Sequence, residues 1–148
     1  MNKNENKYNG WTNWSTWAVN LWYFDDPAHI LECIEIDIPD AINEMERVVL
    51  GQSFAPTGWT LRNEVEAKFE SYADALIERL MMFDADGDDI QGPHADFMSY
   101  HVGECNTREI AAAHCGEVEV SDMMKEHLEN MRDEIEPDVF KLIEARMG

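Results

Sequence analysis

The chain has 148 residues, of which 31 are Asp or Glu and 11 are Lys or Arg, giving a net charge of −20 with histidine neutral. A field of that sign repels DNA, RNA and anionic lipid and attracts the basic surfaces that normally hold nucleic acid, so direct nucleic-acid binding is close to excluded. With 45% hydrophobic and 10% aromatic residues, the composition supports one packed domain and argues against global disorder.

Residues 1–9 read as a flexible polar tail and residues 10–148 as a single acidic helical domain. No run approaches the roughly 18 apolar residues of a membrane span, and Met1 to Lys7 lack the apolar stretch of a secretory signal, so a soluble, cytoplasmic protein is expected. Cys33, Cys105 and Cys115 are odd in number and lack framework spacing, which fits reduced thiols. Halophilic adaptation would also raise the acid count, but it does not account for the nine Met and the aromatic set.

In chain order, Trp14, Trp17, Ala18, Leu21 and Trp22 hold helical spacing behind a cap at Thr12 or Asn13, and this largely indole stripe is expected to be buried. Asp26-Pro27 opens a second helix through Ile30, Leu31 and Ile34. Its end is ambiguous, because Ile34, Ile36 and Ile38 also alternate as a strand does. Pro39 reads as the start of another helix through Ile42, Met45, Val48 and Val49, stopped by Gly51. After a loop to Trp59, the clearest helix carries Val65, Phe69, Tyr72, Ala73, Leu76, Ile77 and Leu80. The turn from Asp84 to Asp89 is acidic. A helix around Phe97 to Val102 and another capped by Asn106, with Glu109 at the capping-box position, follow it. Glu117 to Val120 reads as a short strand, and the remainder as a helix capped by Ser121 or Asp122, with a restart at Pro137. The fold class is mainly α, a compact single-domain helical fold with at most a short two-stranded β ribbon.

Charge placement carries more information than its total. Glu66, Glu70, Asp74 and Glu78 are four residues apart, and Asp122, Glu126, Glu129, Asp133 and Glu136 follow at steps of four and three. Like charges at that interval destabilise a helix by roughly 0.2–0.5 kcal/mol per pair, so folding gains nothing from either row. A four-residue step rises about 6 Å, close to the spacing of phosphates along a strand, and such rows can occupy arginines and lysines shaped for phosphate. A solvated face chosen for solubility is the competing explanation.

Other chemistry is weakly indicated. Asp84, Asp86 and Asp88 alternate as calcium ligands do, but an EF-hand frame would place its glycine at Asp89 and its bidentate glutamate at Ala95. His94, His101, Cys105, His114 and Cys115 fall within 22 residues, yet only His101 and Cys105 have a metal-pair spacing, so neither a metal nor a cofactor is expected. No phosphate-cradling loop or nucleophile elbow is present, and no catalytic residue is assigned.

The segment Asn9-Gly10-Trp11-Thr12-Asn13-Trp14-Ser15-Thr16-Trp17 through Trp22 resembles the opening of a family of small, functionally uncharacterised phage- and plasmid-encoded proteins that begin Gly-Trp-x-Asn-Trp-x-Thr-Trp. A weaker similarity spans Ala95-Asp96-Phe97 and Asn106 to Ala111, where Thr107 stands in place of the family's tryptophan. The resemblance covers neither the middle nor the acidic C-terminal third, and it implies a mobile-element setting in the cytoplasm of a bacterial host cell without supplying an activity. Small acidic phage proteins often act as nucleic-acid decoys, and that class analogy favours a non-enzymatic inhibitor of a host nucleic-acid-binding protein, an anti-CRISPR or anti-restriction factor. The two acidic rows would be its partner-binding residues, with no membrane partner and with homodimerisation open. A docking module using the tryptophan surface or Trp59, and a small metal-dependent enzyme built on the His/Cys cluster, are the alternatives.

Overall fold

Asn13 starts the first helix, α1 (Trp14–Tyr23), from an extended backbone, and its Oδ1 accepts the Thr16 amide at 2.9 Å. That bond satisfies one of the amides a helix start leaves without an internal partner. The computed structural model describes residues 10–82, Gly92, Tyr100 and residues 102–148. The polar tail, the Asp84 to Asp89 turn, His94, His101 and the start of the helix expected from Phe97 lie outside these residues, while Tyr100 and residues 102–104 are helical. All the regular elements described are helical, so the chain is mainly α. No strand, and hence no two-stranded ribbon, occurs among the described residues.

The helix after α1 is α2 (Pro27–Val49), which runs unbroken through Pro39. Local rules place a boundary there, because proline lacks the N–H and costs about 3 kcal/mol inside a helix. The stripe Ile30, Ile34, Ile38, Ala41, Ile42 and Met45 is buried on both sides of Pro39. Burying each large aliphatic side chain gives roughly 1.5–3 kcal/mol, so tertiary packing outweighs the local penalty. The same stripe resolves the strand-like alternation: Ile34 and Ile38 are buried while Ile36 is 76% exposed, the signature of a period of 3.6. Gly51, at φ 75°, takes the left-handed position past the end of α2, and the Gln52 amide returns to the Arg47 carbonyl at 2.8 Å.

The remaining helices are α3 (Leu61–Met82), α4 (Thr107–Cys115), α5 (Val118–Asn130) and α6 (Pro137–Glu144), with a 3₁₀ turn at Arg132–Glu134 before the last. Of the apolar positions expected along α3, Leu61, Val65, Phe69, Ala73 and Ile77 make one buried row, while Tyr72 is exposed. Glu117 to Val120, expected as a strand, instead enter α5 with Glu117 as its N-cap. Val118 and Glu119 are exposed and Val120 is fully buried, so the burial pattern there has the helical period.

Two compact units result, each assembled from two stretches of chain: residues 1–26 with 70–111, and residues 27–69 with 112–148. In the first, α1 buries Ser15, Thr16, Ala18 and Val19. The expectation for the indole stripe is thereby corrected, because Trp14, Leu21 and Trp22 are exposed. Small residues on the inner face let the helix backbone approach its neighbours, which bulky indoles would prevent. Thr16 Oγ1 donates to Asn13 Oδ1 at 2.8 Å and accepts the Asn106 amide at 2.9 Å. Asn106 in turn accepts the Glu109 amide at 3.1 Å as the α4 cap. Glu109 closes no capping box; both its carboxylate oxygens accept from Thr12, from the amide and from Oγ1, each at 2.9 Å.

Replacing Thr16 with valine keeps the shape and leaves the Asn106 amide without its acceptor, so urea denaturation should show a loss of about 1–3 kcal/mol. An unchanged midpoint would mean that water restores the bond.

In the second unit α2 packs against α5 and α6. The core comprises the α2 stripe with Leu61, Val65, Phe69, Val120, Met124, Leu128, Ile135, Val139, Phe140 and Ile143. Arg62 ties this unit together: its guanidinium donates to the Cys115 carbonyl, to Ser121 Oγ and, at 3.3 Å, to the Gly148 carbonyl. Beside it, the Leu61 and Arg62 amides donate to the Arg146 and Met147 carbonyls at 2.7 and 3.0 Å. None of the described helices is long and apolar enough to cross a membrane.

Candidate partner-binding surface

The α3 row is divided between the two units, and most of its carboxylates have work inside them. Glu66 is half-buried in the second unit, where its charge bears on Cys115. In the first unit Glu70 lies 3.9 Å from Arg108 Nε, and Asp74 accepts the Thr107 hydroxyl at 2.6 Å. Glu78 is exposed. The row therefore contacts the start of α4 as well as meeting solvent, and its first member does not share a unit with the others.

The second row has a different character. Asp122, Glu126 and Glu129 are exposed on one face of α5, and Asp133 and Glu136 are exposed in the connection that follows. The sequence spacing suits one long helix through Glu136, but α5 ends at Asn130 and the last two acids lie on the 3₁₀ turn and at the α6 cap. Glu129 is gripped by Arg132 through two bonds of 2.8 and 2.9 Å, and that bidentate contact holds its carboxyl below the usual range. The Arg132 guanidinium also lies over the Phe140 ring at 4.1 Å, which anchors the turn. The second unit carries 18 Asp and Glu against 7 Lys and Arg, so its field is strongly negative whichever groups face outward.

Sequence spacing does not reveal a groove in the second unit, of about 730 Å³, lined by Glu32, Glu35, Ile36 and Pro39 from α2 and by His127 from α5. His127 Nε2 stands 3.6 Å from Glu35 Oε1. The available signal was Ile36 itself, an isoleucine outside the Ile34/Ile38 stripe and flanked by acids, once that segment is taken as helix.

The aromatic face of α1 is a second exposed surface. Trp22 is 64% and Trp14 41% exposed, with their rings edge to face at 6.4 Å, and Leu21 and Tyr23 are exposed on the same helix. Trp11 and Trp59 are half-buried, and the Trp59 indole donates to Glu64 at 2.8 Å.

Two of the thiols, Cys105 and Cys115, are held in their neutral form. Burial pushes the Cys115 thiol up to about 12, with the Glu66 charge adding to it, and pushes Cys105 up to about 11. Burial lowers His114, which packs edge-on against Phe69. A protonated thiol at neutral pH is the opposite of what a cysteine nucleophile needs. Among the described residues no three His, Cys, Asp or Glu side chains converge on a metal position.

These thiols set an alkaline limit. Their folded values lie above the ordinary thiol value of about 9, so the stability they confer is complete below pH 9 and is lost as pH rises toward 11 and 12. At about pH 10 the buried Cys115 thiol should cost roughly 1 kcal/mol relative to about pH 8, and the partly exposed Cys105 less. Denaturation midpoints of Cys115→Ala should fall less steeply over that interval than those of the unaltered chain, and equal slopes would refute the assignment.

No protein-family model matches the chain, no match is found among curated proteins, and no solved structure matches it.

Proposed function

We propose that the protein is a non-catalytic inhibitor, encoded by a phage or other mobile element, that presents carboxylates in place of phosphates to the basic nucleic-acid channel of a host defence nuclease or its targeting complex. The observation that carries this reading is the run of exposed acids from Asp122 to Glu136 in a unit with 18 acidic and 7 basic residues. Asp122 and Glu126, four residues apart on one face of α5, oppose helix formation as like charges, so their spacing calls for a use outside folding. The mobile-element setting rests on the N-terminal resemblance at Gly10 to Trp17.

The test is affinity capture from bacterial lysate at low and high salt, with DNA and RNA as competitors. A decoy should retain a nucleic-acid-binding protein at low salt, release it at high salt and lose it to competing nucleic acid. A partner held equally at both salt concentrations and indifferent to nucleic acid would overturn the reading.

A second reading, a docking module without mimicry, is favoured by the exposure of Trp14, Leu21 and Trp22. Large exposed aromatics are the usual anchors of protein interfaces. In that case Trp14→Ala and Trp22→Ala should abolish capture, and neutralising the α5 acids should leave it intact.

A further inference from the structure

We infer that the groove between α2 and α5 receives one arginine side chain of a protein partner; this rests on the phosphate-mimicry reading for the kind of partner and adds where and how it is gripped. The lining has two chemistries. Ile36 and Pro39 form an apolar part, and Ile36 leaves three-quarters of its surface in water. Glu32 and Glu35, three residues apart on the same helix and both exposed, supply negative charge beside it. An occupant must cover the apolar part with hydrocarbon and end in a positive group. Only Lys and Arg side chains combine the two, since their stems lie along apolar surface while the charged head seeks polar partners.

Two carboxylates one turn apart select between them. A guanidinium offers five donors in a fixed plane and is weakly hydrated, so it can meet Glu32 and Glu35 together; an ammonium is a compact, strongly hydrated charge that gives up more on entering. Lys and Arg differ little over the Ile36 and Pro39 part, so the discrimination belongs to the acidic pair. His127 already approaches Glu35 at 3.6 Å, a separation that is long for a hydrogen bond, and an arriving guanidinium can replace it. Nucleic-acid channels are lined by arginines that hold phosphates, so the occupant belongs to the same class of partner.

The test uses the full chain, labelled with ¹⁵N and titrated at low salt with a capped alanine pentapeptide carrying one central arginine, and with its lysine and citrulline counterparts. The arginine peptide should give saturable amide shifts centred on residues 32–39 and on His127, bind more tightly than the lysine peptide, and lose the effect entirely with neutral citrulline. The double variant Glu32→Gln/Glu35→Gln should weaken it by about tenfold. Ile36→Ser should weaken it by about threefold without changing the salt dependence, because apolar contact is not screened. All three positions are exposed, and unchanged thermal melts establish that the variants fold.

Shifts spread over every acidic surface without saturation, equal binding of the citrulline peptide, or indifference to both variants would overturn the inference while leaving salt-sensitive capture untouched. Saturable binding of arginine in the groove, together with a captured partner that nucleic acid fails to displace, would uphold the groove and overturn the mimicry reading.

Discussion

Replacing Arg62 with methionine should lower the stability of the second unit by about 2–4 kcal/mol, the largest effect expected of any single change outside the apolar core. Methionine keeps most of the stem and removes all three guanidinium contacts, to the Cys115 carbonyl, Ser121 Oγ and the Gly148 carbonyl. The Cys115 carbonyl closes α4 and Ser121 lies in the first turns of α5, so one side chain fixes the corner between two helices and pins residues 146–148 alongside α3. Each charged donor lost is worth roughly 1.5–3 kcal/mol, reduced where water can replace it. Arg62→Lys should recover only part of the loss, because an ammonium cannot span three acceptors in a plane. Chemical denaturation followed by far-ultraviolet circular dichroism reads this directly, and a shift below about 1 kcal/mol would show that the three contacts are replaceable by water.

The second large effect concerns binding. Changing Asp122, Glu126 and Asp133 together to Asn, Gln and Asn removes three exposed charges with little change of shape, and leaves the Glu129–Arg132 pair that anchors the turn. Folding should be unaffected or slightly favoured, because repulsion along α5 falls. Affinity for a captured host partner should drop by roughly 1–3 kcal/mol in total, mostly through the association rate, and the slope of affinity against salt should become shallower. A variant with full affinity and an unchanged slope would make this face a solubility device and move the docking reading through α1 into first place.

How much of this was legible in advance differs from element to element. The α3 row was readable because Leu61 to Ile77 repeat every four residues with no competing signal, and the caps at Asn13 and Asn106 were readable because their chemistry is local. The continuity of α2 was hidden by Pro39, whose local cost is overridden only by partners far along the chain. The inner face of α1 was hidden because hydrophobicity ranks tryptophan above serine and threonine, whereas close helix approach selects for small size.

The candidate surface divides in the same way. Exposure of the α5 acids followed from their position opposite Met124 and Leu128. The engagement of Glu70 and Asp74 did not follow from spacing, since Arg108 and Thr107 reach them from another helix. The groove at Ile36 required knowing that the segment is helical and which helix lies beside it.

The interleaved assembly of the two units bears on the order in which the chain can fold during synthesis. Residues 1–26 emerge from the ribosome first, but their unit is completed by residues 70–111, and the bond from the Asn106 amide to Thr16 Oγ1 closes a span of 90 residues. The second stretch, 27–69, waits in turn for 112–148. The first unit can therefore close only around residues 27–69 whose own partners are still to come, and long spans must close before their contacts repay the lost freedom. Until residues 70–111 are made the nascent chain carries α1 and α2 without their partners, so a translational pause before residue 106 would expose apolar faces to chaperones, and no single cut in the chain separates one unit cleanly from the other.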